Sequence, residues 1–275
     1  MNSNLSAIYR INKFLSSINY PDAYRISREI VDYLASNKKR SEESVLKKLA
    51  QGYPWEYIQG YAMFCNHKFK VTKDTLIPRI ETEQIVYDCV KLIRENNITN
   101  IIDVGTGSGC IIISIASILG SSPYSFIATD ISSKALDIAK FNEKTMLKSK
   151  KIKWIENNLI EKVPNITSDT LVIANLPYIP TQQYSKLDRS VLQYEPKIAL
   201  DGGSDGLTYY KGLFKQLLSN KSFPKLIYIE TESAIFDNTK QLIQRCFPNA
   251  DIYEILDCFE RKRFLKIFTN QPRQG

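Results

Sequence analysis

The sequence predicts an α/β fold in which a small helical domain and a linking β-hairpin precede a doubly wound, mostly parallel β-sheet. Three observations support this prediction. Helix and strand patterns alternate from residue 83 onward, which is typical of βαβ units. Residues 257–262 separate the last two strand patterns and are too few for a parallel crossover. Apolar residues in the first fifty positions recur at helical spacing.

The first two predicted domains differ in their residue patterns. Apolar residues of the N-terminal domain, 1–56, form helical groups within 8–15, 26–34 and 45–49, and turn and cap residues around Pro21 and Ser41 separate them. Residues 57–78 carry aromatic and β-branched side chains on both sides of the turn-like Cys65-Asn66-His67. We therefore expect a β-hairpin linker there.

The third domain, residues 79–275, is predicted to contain the sheet. Predicted helices cover residues 83–95, 109–119 and 133–147. Predicted strands cover residues 100–104, 125–129, 152–155, 170–174, 226–230, 252–256 and 263–268. The last two strands must pair as an antiparallel hairpin, and the parallel strands require right-handed crossovers.

Composition narrows the possible chemistry. Hydrophobic residues make up 43% of the 275 residues and charged residues 24%. These fractions are typical of globular proteins and exclude a collagenous or wholly disordered chain. The single histidine, His67, argues against Ser-His-Asp triads, histidine general-base pairs and histidine-rich metal sites. We expect no metal.

Cysteine usage and hydropathy indicate a cytoplasmic protein that does not enter a membrane. The five cysteines form no CxxC pair, which argues against a zinc ribbon and a disulfide framework. The longest apolar run, residues 110–119, is too short to span a bilayer. The first twenty residues carry Arg10 and Lys13 but no acid, yet they continue into a helical pattern, so we expect mature structure there and not a targeting peptide.

A glycine-rich turn follows the first strand of the alternating region. It reads Asp103-Val-Gly105-Thr106-Gly107-Ser-Gly109. Glycine lets the backbone approach a ligand, and the N-terminus of the next helix offers free N–H groups. The GxGxG spacing after an acidic residue suits the amino-acid tail and ribose of S-adenosylmethionine better than a pyrophosphate.

Asp130 strengthens this interpretation. It ends the second strand, 21 residues after Gly109, the distance at which an acid binds ribose hydroxyls in doubly wound folds. The alternative is purely structural: a tight turn, and an aspartate that only caps the following helix.

Asn175-Leu176-Pro177-Tyr178 follows the fourth strand and is expected at the carboxyl edge of the sheet, facing the cofactor. An amide or aromatic amine nitrogen is a poor nucleophile, and an enzyme that methylates it must hold both N–H groups with acceptors. The Asn175 side-chain oxygen and the Leu176 carbonyl are suitable acceptors, and Tyr178 would form a flat wall. An ordinary turn after a strand explains the tetrapeptide alone equally well.

Over nearly its whole length the chain resembles the HemK/PrmC-type peptide chain release factor glutamine methyltransferases. The blocks that carry the resemblance are Gly60-Tyr-x-x-Phe64, Leu76-Ile-Pro-Arg-Ile-Glu-Thr-Glu83, the glycine turn, Asn175-Leu-Pro-Tyr178, Tyr194-Glu-Pro196, Ala199-Leu-Asp-Gly-Gly203 and Asp205-Gly-Leu207.

The resemblance implies a class I S-adenosylmethionine-dependent methyltransferase whose N-terminal helical domain docks the substrate. It also implies a reaction, transfer of a methyl group to the glutamine of the GGQ motif in release factors, as part of translation termination. The implied catalytic residues are Asn175, Pro177 and Tyr178. The implied cofactor-binding residues are Asp103, Gly105, Thr106, Gly107, Gly109, Asp130, Asn158 and Asn175. The implied substrate-binding residues are Asn175, Leu176, Pro177, Tyr178 and Glu195.

Three positions depart from the family pattern. Leu176 replaces the first proline of Asn-Pro-Pro-Tyr, but that position contributes a backbone carbonyl, so function should survive. Asn158 stands where the family often has an aspartate near the adenine amino group, and Ile80 replaces a common proline.

Two other functions stay open. The net charge of +8 and the Asn-Leu-Pro-Tyr motif, which also resembles that of RNA adenine dimethyltransferases, favour an N6-adenine methyltransferase acting on RNA or DNA. A lysine-rich surface explains the charge equally well, and no dense basic stripe is present. A non-catalytic cofactor-binding scaffold is the third possibility. We expect a monomer that binds release factors and holds neither nucleic acid nor membrane stably.

Overall fold

The computed structural model describes residues 2–120, 122–149, 152–221 and 223–270. The chain forms two compact units. The first contains the residues up to Tyr61 together with Asp188–Tyr194, and the second contains Ala62–Leu187 together with the residues from Glu195 onward.

The helices and strands follow one another along the chain, with longer irregular segments at residues 71–82 and 157–169. The α-helices are α1 (Asn2–Ser17), α2 (Ala23–Ser36), α3 (Glu42–Ala50), α4 (Trp55–Gln59), α5 (Glu83–Glu95), α6 (Cys110–Leu119), α7 (Ser133–Met146), α8 (Thr181–Tyr184), α9 (Arg189–Tyr194), α10 (Thr208–Ser219) and α11 (Phe236–Cys246). The strands are β1 (Tyr61–Phe64), β2 (His67–Lys70), β3 (Asn100–Val104), β4 (Ser125–Asp130), β5 (Ile152–Glu156), β6 (Thr170–Ala174), β7 (Leu226–Glu230), β8 (Asp251–Leu256) and β9 (Lys262–Phe268). Among the residues described, no helix is both long and apolar enough to cross a membrane.

The first unit is helical, as the sequence predicts, and contains α1–α4 and α9. The Ser41 hydroxyl caps α3 by accepting a hydrogen bond from the Ser44 N–H at 3.2 Å. Trp55 is fully buried, and its indole N–H donates to the Glu29 carboxylate at 2.7 Å. The core of this unit consists of Ile11, Leu15, Ile26, Ile30, Val45, Leu49 and Trp55.

Helix α9 comes from a distant part of the sequence and completes this unit. The Tyr194 ring lies 4.8 Å from the Tyr53 ring, centroid to centroid, and the Tyr194 hydroxyl donates to the Gln51 carbonyl at 3.3 Å. The sequence does not predict that residues 188–194 belong to the first unit, because α9 is short and none of its residues is fully buried.

The β-hairpin is shorter than predicted and covers residues 61–70. Tyr57 and Ile58 lie in α4, which ends at Gly60 with φ +85°. Cys65 and Asn66 form the turn, with φ angles of 47° and 62°. Aromatic and β-branched residues suit short helices and strands alike, so the pattern misplaced the start of the hairpin. From Ala62 onward the hairpin belongs to the second unit and is not a separate linker.

The second unit contains a seven-stranded sheet with strand order β5-β4-β3-β6-β7-β9-β8. Strands β3–β7 are parallel, whereas β9 pairs antiparallel with both β7 and β8. This topology confirms the predicted mostly parallel sheet with a terminal antiparallel hairpin. Strand order reverses between β3 and β6, and in such sheets ligands bind beyond the carboxyl ends of the strands at this point.

Side chains alternate between the two faces of the sheet and form two cores. Ile101 and Ile173 pack in the core that contains α5 and α6, whereas their neighbours Ile102 and Val172 pack in the core that contains α10. Both faces of β3, β6 and β7 are therefore covered, and only the ends of the central strands remain available for a ligand.

Candidate active site

The glycine turn connects β3 to α6 and exposes its backbone. Gly105, Gly107 and Gly109 have φ angles of 72°, 57° and 79°, a region that side chains other than glycine rarely adopt. A Cβ atom added to Gly105 would lie 2.8 Å from the Leu176 side chain, whereas one added to Gly107 would meet no atom within 4 Å. Space for a ligand therefore lies above Gly107, and Gly105 allows close packing against the Asn175–Tyr178 motif.

Asp103 lies beneath this turn with only 1% of its surface exposed. Its carboxylate accepts a hydrogen bond from the Thr106 hydroxyl at 2.6 Å. Burial raises the pKa of Asp103 to about 7, and the nearby charge of Asp130 adds to that shift, while the Thr106 hydrogen bond opposes it. Asp103 and Thr106 thus stabilise the turn from below.

We expect Asp103→Asn to reduce the pH dependence of the free energy of unfolding. An aspartate titrates near 4 when unfolded, so folded Asp103 holds its proton more tightly. Its contribution to stability is therefore fully present below about pH 4 and is lost as the pH rises through about 7. Asparagine has no such proton. Urea unfolding at about pH 5 and about pH 8 measures the effect; an equal change in wild type and variant would contradict it.

Asp130 ends β4 and faces the same turn. One carboxylate oxygen accepts the Gly107 N–H at 2.8 Å, and the other accepts the Ser132 N–H at 2.9 Å. Burial raises the pKa of Asp130, and the hydrogen bonds from Ser132 and Gly107 oppose that shift. The Ile131 N–H also hydrogen-bonds this carboxylate. A carboxylate offers about four acceptor sites, so Asp130 can still accept a hydrogen bond from a ribose hydroxyl.

Asn158 lies just beyond β5 and is exposed. Its side-chain NH₂ donates to the Glu161 carboxylate at 2.8 Å. This contact leaves the Asn158 side-chain oxygen to accept a hydrogen bond from an amino group in the cleft.

The Asn175–Tyr178 motif begins directly after β6, at the carboxyl edge of the sheet. The Asn175 side-chain NH₂ donates to the Glu230 carboxylate at 3.0 Å. The Tyr178 hydroxyl donates to the same carboxylate at 3.3 Å. Leu176 is buried, and its N–H donates to the Tyr210 hydroxyl at 3.4 Å.

The Ala199–Leu207 blocks hold the chain after this motif. The Gly202 N–H donates to the Ile179 carbonyl at 2.8 Å, and the Ile179 N–H donates to the Leu200 carbonyl at 3.0 Å. A Cβ atom at Gly202 would lie 2.7 Å from the Pro177 carbonyl oxygen, so only glycine allows this approach.

Glu195 joins two of the sequence blocks. Its buried carboxylate accepts hydrogen bonds from the Arg79 guanidinium at 2.6 Å and from the Ile77 N–H at 3.2 Å. Glu195 therefore supports the Leu76–Glu83 segment. Its predicted substrate contact stays a prediction.

A cleft at the carboxyl ends of β3, β4 and β6 brings most of the predicted site residues together. Its walls consist of Asp74, Thr75, Leu76, Gly105, Gly107, Asp130, Ile131, Ser132, Ala135, Asn158, Leu159, Asn175, Leu176, Pro177, Pro196, Ile198, Ala199 and Tyr209. The predicted residues that do not line it are Asp103, Thr106, Gly109, Tyr178 and Glu195. The open turn, the Asp130 carboxylate and the apolar walls suit the nucleoside of S-adenosylmethionine.

Sequence reasoning missed two polar residues behind the cleft. Glu230 ends β7 and is 1% exposed, and the Thr82 hydroxyl donates to its carboxylate at 2.8 Å. An acidic residue at the end of an otherwise apolar central strand was the available signal, because its carboxyl group must reach the same sheet edge as Asn175.

A family model and curated proteins match the chain. The model of the ribosomal protein L11 methyltransferase family (PrmA) matches residues 83–179. Release factor glutamine methyltransferases of Enterococcus faecalis and Mycoplasma mycoides are 34% and 32% identical, over 78% and 88% of this chain and 76% and 90% of theirs. That of Fusobacterium nucleatum is 37% identical over 70% of this chain, and the match spans about half (52%) of its length.

Solved structures share the fold at low sequence identity. The catalytic domain of human METTL16, in complex with a MAT2A 3′UTR hairpin, aligns with a TM-score of 0.59 at 15% identity over 82% of this chain and 91% of that one. The N-terminal domain of human METTL16 in complex with SAH aligns with a TM-score of 0.52 at 16% identity, over 87% of this chain and 94% of that one. These neighbours confirm the predicted class I fold. The similarity to the curated relatives also shows the family: the chain belongs to the release factor glutamine methyltransferases, enzymes that use S-adenosylmethionine.

Proposed function

We propose that the protein transfers the methyl group of S-adenosylmethionine to the side-chain amide nitrogen of the glutamine in the Gly-Gly-Gln motif of peptide chain release factors. The observation that carries this proposal is the position of Asn175. It lines the cleft beside the glycine turn, and its NH₂ group is bound by Glu230. Its oxygen therefore remains to accept an N–H group of a primary amide.

The proposed cofactor site consists mainly of the exposed backbone of the glycine turn and the Asp130 carboxylate. Gly107 leaves room over the turn, Asp130 would accept a ribose hydroxyl, and Asn158 would accept the adenine amino group. When bound there, S-adenosylmethionine supplies a methyl group that its sulfonium activates for in-line displacement.

The proposed contribution of the chain to catalysis is alignment. A glutamine amide nitrogen has a delocalised lone pair and attacks only when its N–H groups are held in a fixed plane. The Asn175 oxygen and the Leu176 carbonyl would accept these two N–H groups. Pro177 fixes the backbone between them and Tyr178, and the Tyr178 ring would form one wall. The apolar walls keep water from the positively charged donor.

The first unit is proposed to dock the release factor. Leu5, Tyr9 and Tyr24 are exposed by 67%, 71% and 63%, and together with Arg28 they line a groove. All five cysteines are free thiols, which supports a cytoplasmic location. We further expect a monomer without stably bound nucleic acid.

The test is methyl transfer from tritiated S-adenosylmethionine to purified bacterial release factor. We expect incorporation into the wild-type release factor and none into a matched factor whose GGQ glutamine is alanine. Mass spectrometry of the GGQ peptide should show a single added methyl group. Equal labelling of both factors would contradict the proposed position.

The second candidate function is N6-adenine methylation. The Asn175 oxygen and the Leu176 carbonyl would also hold an exocyclic amine, and the net charge of +8 favours binding of nucleic acid. Structured RNA and duplex DNA serve as acceptors in a parallel assay. Labelling of nucleic acid without labelling of release factor would replace the proposed function, and cofactor binding without transfer to any acceptor would indicate a scaffold.

A further inference from the structure

Glu230 is a buried carboxylate that accepts hydrogen bonds from three side chains in two distant segments of the chain. It accepts hydrogen bonds from the Thr82 hydroxyl at 2.8 Å, the Asn175 NH₂ group at 3.0 Å and the Tyr178 hydroxyl at 3.3 Å. Thr82 directly precedes α5, whereas Asn175 and Tyr178 are the first and last residues of the motif after β6. One side chain therefore ties both ends of the motif to the end of β7.

The charge state of Glu230 decides which way the Asn175 amide points. An ionised carboxylate only accepts hydrogen bonds, so it selects the NH₂ side of the carboxamide and leaves the oxygen for a ligand. The Asn175 oxygen accepts no hydrogen bond from any residue within the described ranges. A protonated carboxyl group, or an amide in its place, also donates and removes this selection.

We propose that ionised Glu230 is a positioning residue that orients the Asn175 oxygen towards the substrate amide. The inference rests on the proposed function, which makes that oxygen an acceptor for the substrate N–H. Glu230 lines no part of the cleft and acts only through Asn175 and Tyr178.

The surroundings of Glu230 predict a pH dependence in the neutral range. Burial raises the pKa of Glu230 to about 7. The hydrogen bond from Thr82, the charge of Arg263 and the hydrogen bond from Tyr178 oppose this shift, and the charge of Glu81 adds to it. Tyr210 on α10 and Tyr228 on β7 also interact electrostatically with this carboxyl group. The turnover number should therefore rise with an apparent pKa near 7, as Glu230 ionises.

Glu230→Gln tests the proposal because it removes the charge and keeps the shape. We expect kcat for methylation of release factor to fall about tenfold or more at about pH 8, and the rise of kcat through pH 7 to disappear. The dissociation constant for S-adenosylmethionine should stay within about twofold of wild type. A wild-type kcat and pH profile in the variant would overturn the proposal.

Two further variants separate positioning from loss of structure. Glu143→Gln makes the same substitution at another buried glutamate, which accepts hydrogen bonds from the Ile152 N–H and the Trp154 indole. It should leave the pH profile unchanged. Thr82→Val removes a hydrogen bond that lowers the pKa of Glu230, so the rise of kcat should move to higher pH. A shift with Glu143→Gln, or none with Thr82→Val, would count against Glu230 as the titrating group.

An NMR titration tests the inference without a methyl acceptor. The protein is labelled with ¹⁵N-asparagine, and the side-chain amide signals of Asn175 are assigned by their loss in Asn175→Ala. These signals should shift with a pH midpoint near 7 in wild type and should not shift in Glu230→Gln. Absence of release factor methylation by wild type would remove the proposed function alone. Asn175 signals that do not change with pH in wild type would remove the role of Glu230.

Discussion

Asn175→Ala is expected to lower the turnover number for methyl transfer about 100- to 1,000-fold, the usual effect of removing one preorganised group that stabilises a transition state. The variant loses the oxygen proposed to hold the reacting amide, but it keeps the glycine turn and Asp130. The dissociation constant for S-adenosylmethionine should therefore change less than about threefold. Single-turnover transfer of tritiated methyl groups and calorimetric binding measure the two quantities.

Asn158→Ala is the matched control because it truncates an asparagine at the proposed adenine end of the same cleft. It should weaken cofactor binding and leave turnover at saturating cofactor near wild type. Methyl transfer by Asn175→Ala at the wild-type rate would show that the acceptor for the substrate amide lies elsewhere.

Asp130→Ala is expected to weaken cofactor binding much more than it lowers turnover. It should raise the dissociation constant for S-adenosylmethionine about 10- to 100-fold. A hydrogen bond to a charged group contributes about 1.5–3 kcal/mol, which corresponds to this range. The turnover number at saturating cofactor should stay within about threefold of wild type, because the acceptors for the substrate amide remain in place. Calorimetric titration with S-adenosylmethionine measures the affinity.

Asp137→Ala is the control for Asp130→Ala. Asp137 is an exposed aspartate on α7, and its loss should leave both constants unchanged. Asp130 also holds the Gly107 and Ser132 N–H groups, so circular dichroism and thermal unfolding must accompany the titration. Unchanged affinity in a folded Asp130→Ala protein would exclude a ribose contact by this carboxylate.

The sequence predicts the sheet well because its elements have strong local signals. Strands β3, β6 and β7 begin and end at the predicted residues, since each is a short apolar run bounded by polar or turn residues. Helix α6 begins one residue later than predicted, because Gly109 takes a positive φ and only caps the helix. Asp130, Asn158 and Asn175 line one cleft because the carboxyl ends of parallel strands meet at one edge.

Contacts between distant residues explain what the sequence does not predict. Glu230 and Asn175 are 55 residues apart and lie on different strands, so no local pattern links them. The pairing of Arg79 with Glu195 spans 116 residues. Helix α9 has six residues and no buried side chain, so its contacts with Gln51 and Tyr53 have no periodic signature.

The return of residues 188–194 to the helical unit constrains how the chain can fold during synthesis. Helices α1–α4 leave the ribosome early, but their partner α9 follows only after β3–β6 have been made. The helical unit therefore completes its packing late and cannot be isolated whole by cutting the chain after residue 61. A gene fragment that ends there would encode four helices of the unit without the fifth. A gene in which a short linker joins residue 61 directly to residues 188–194 would encode the entire unit.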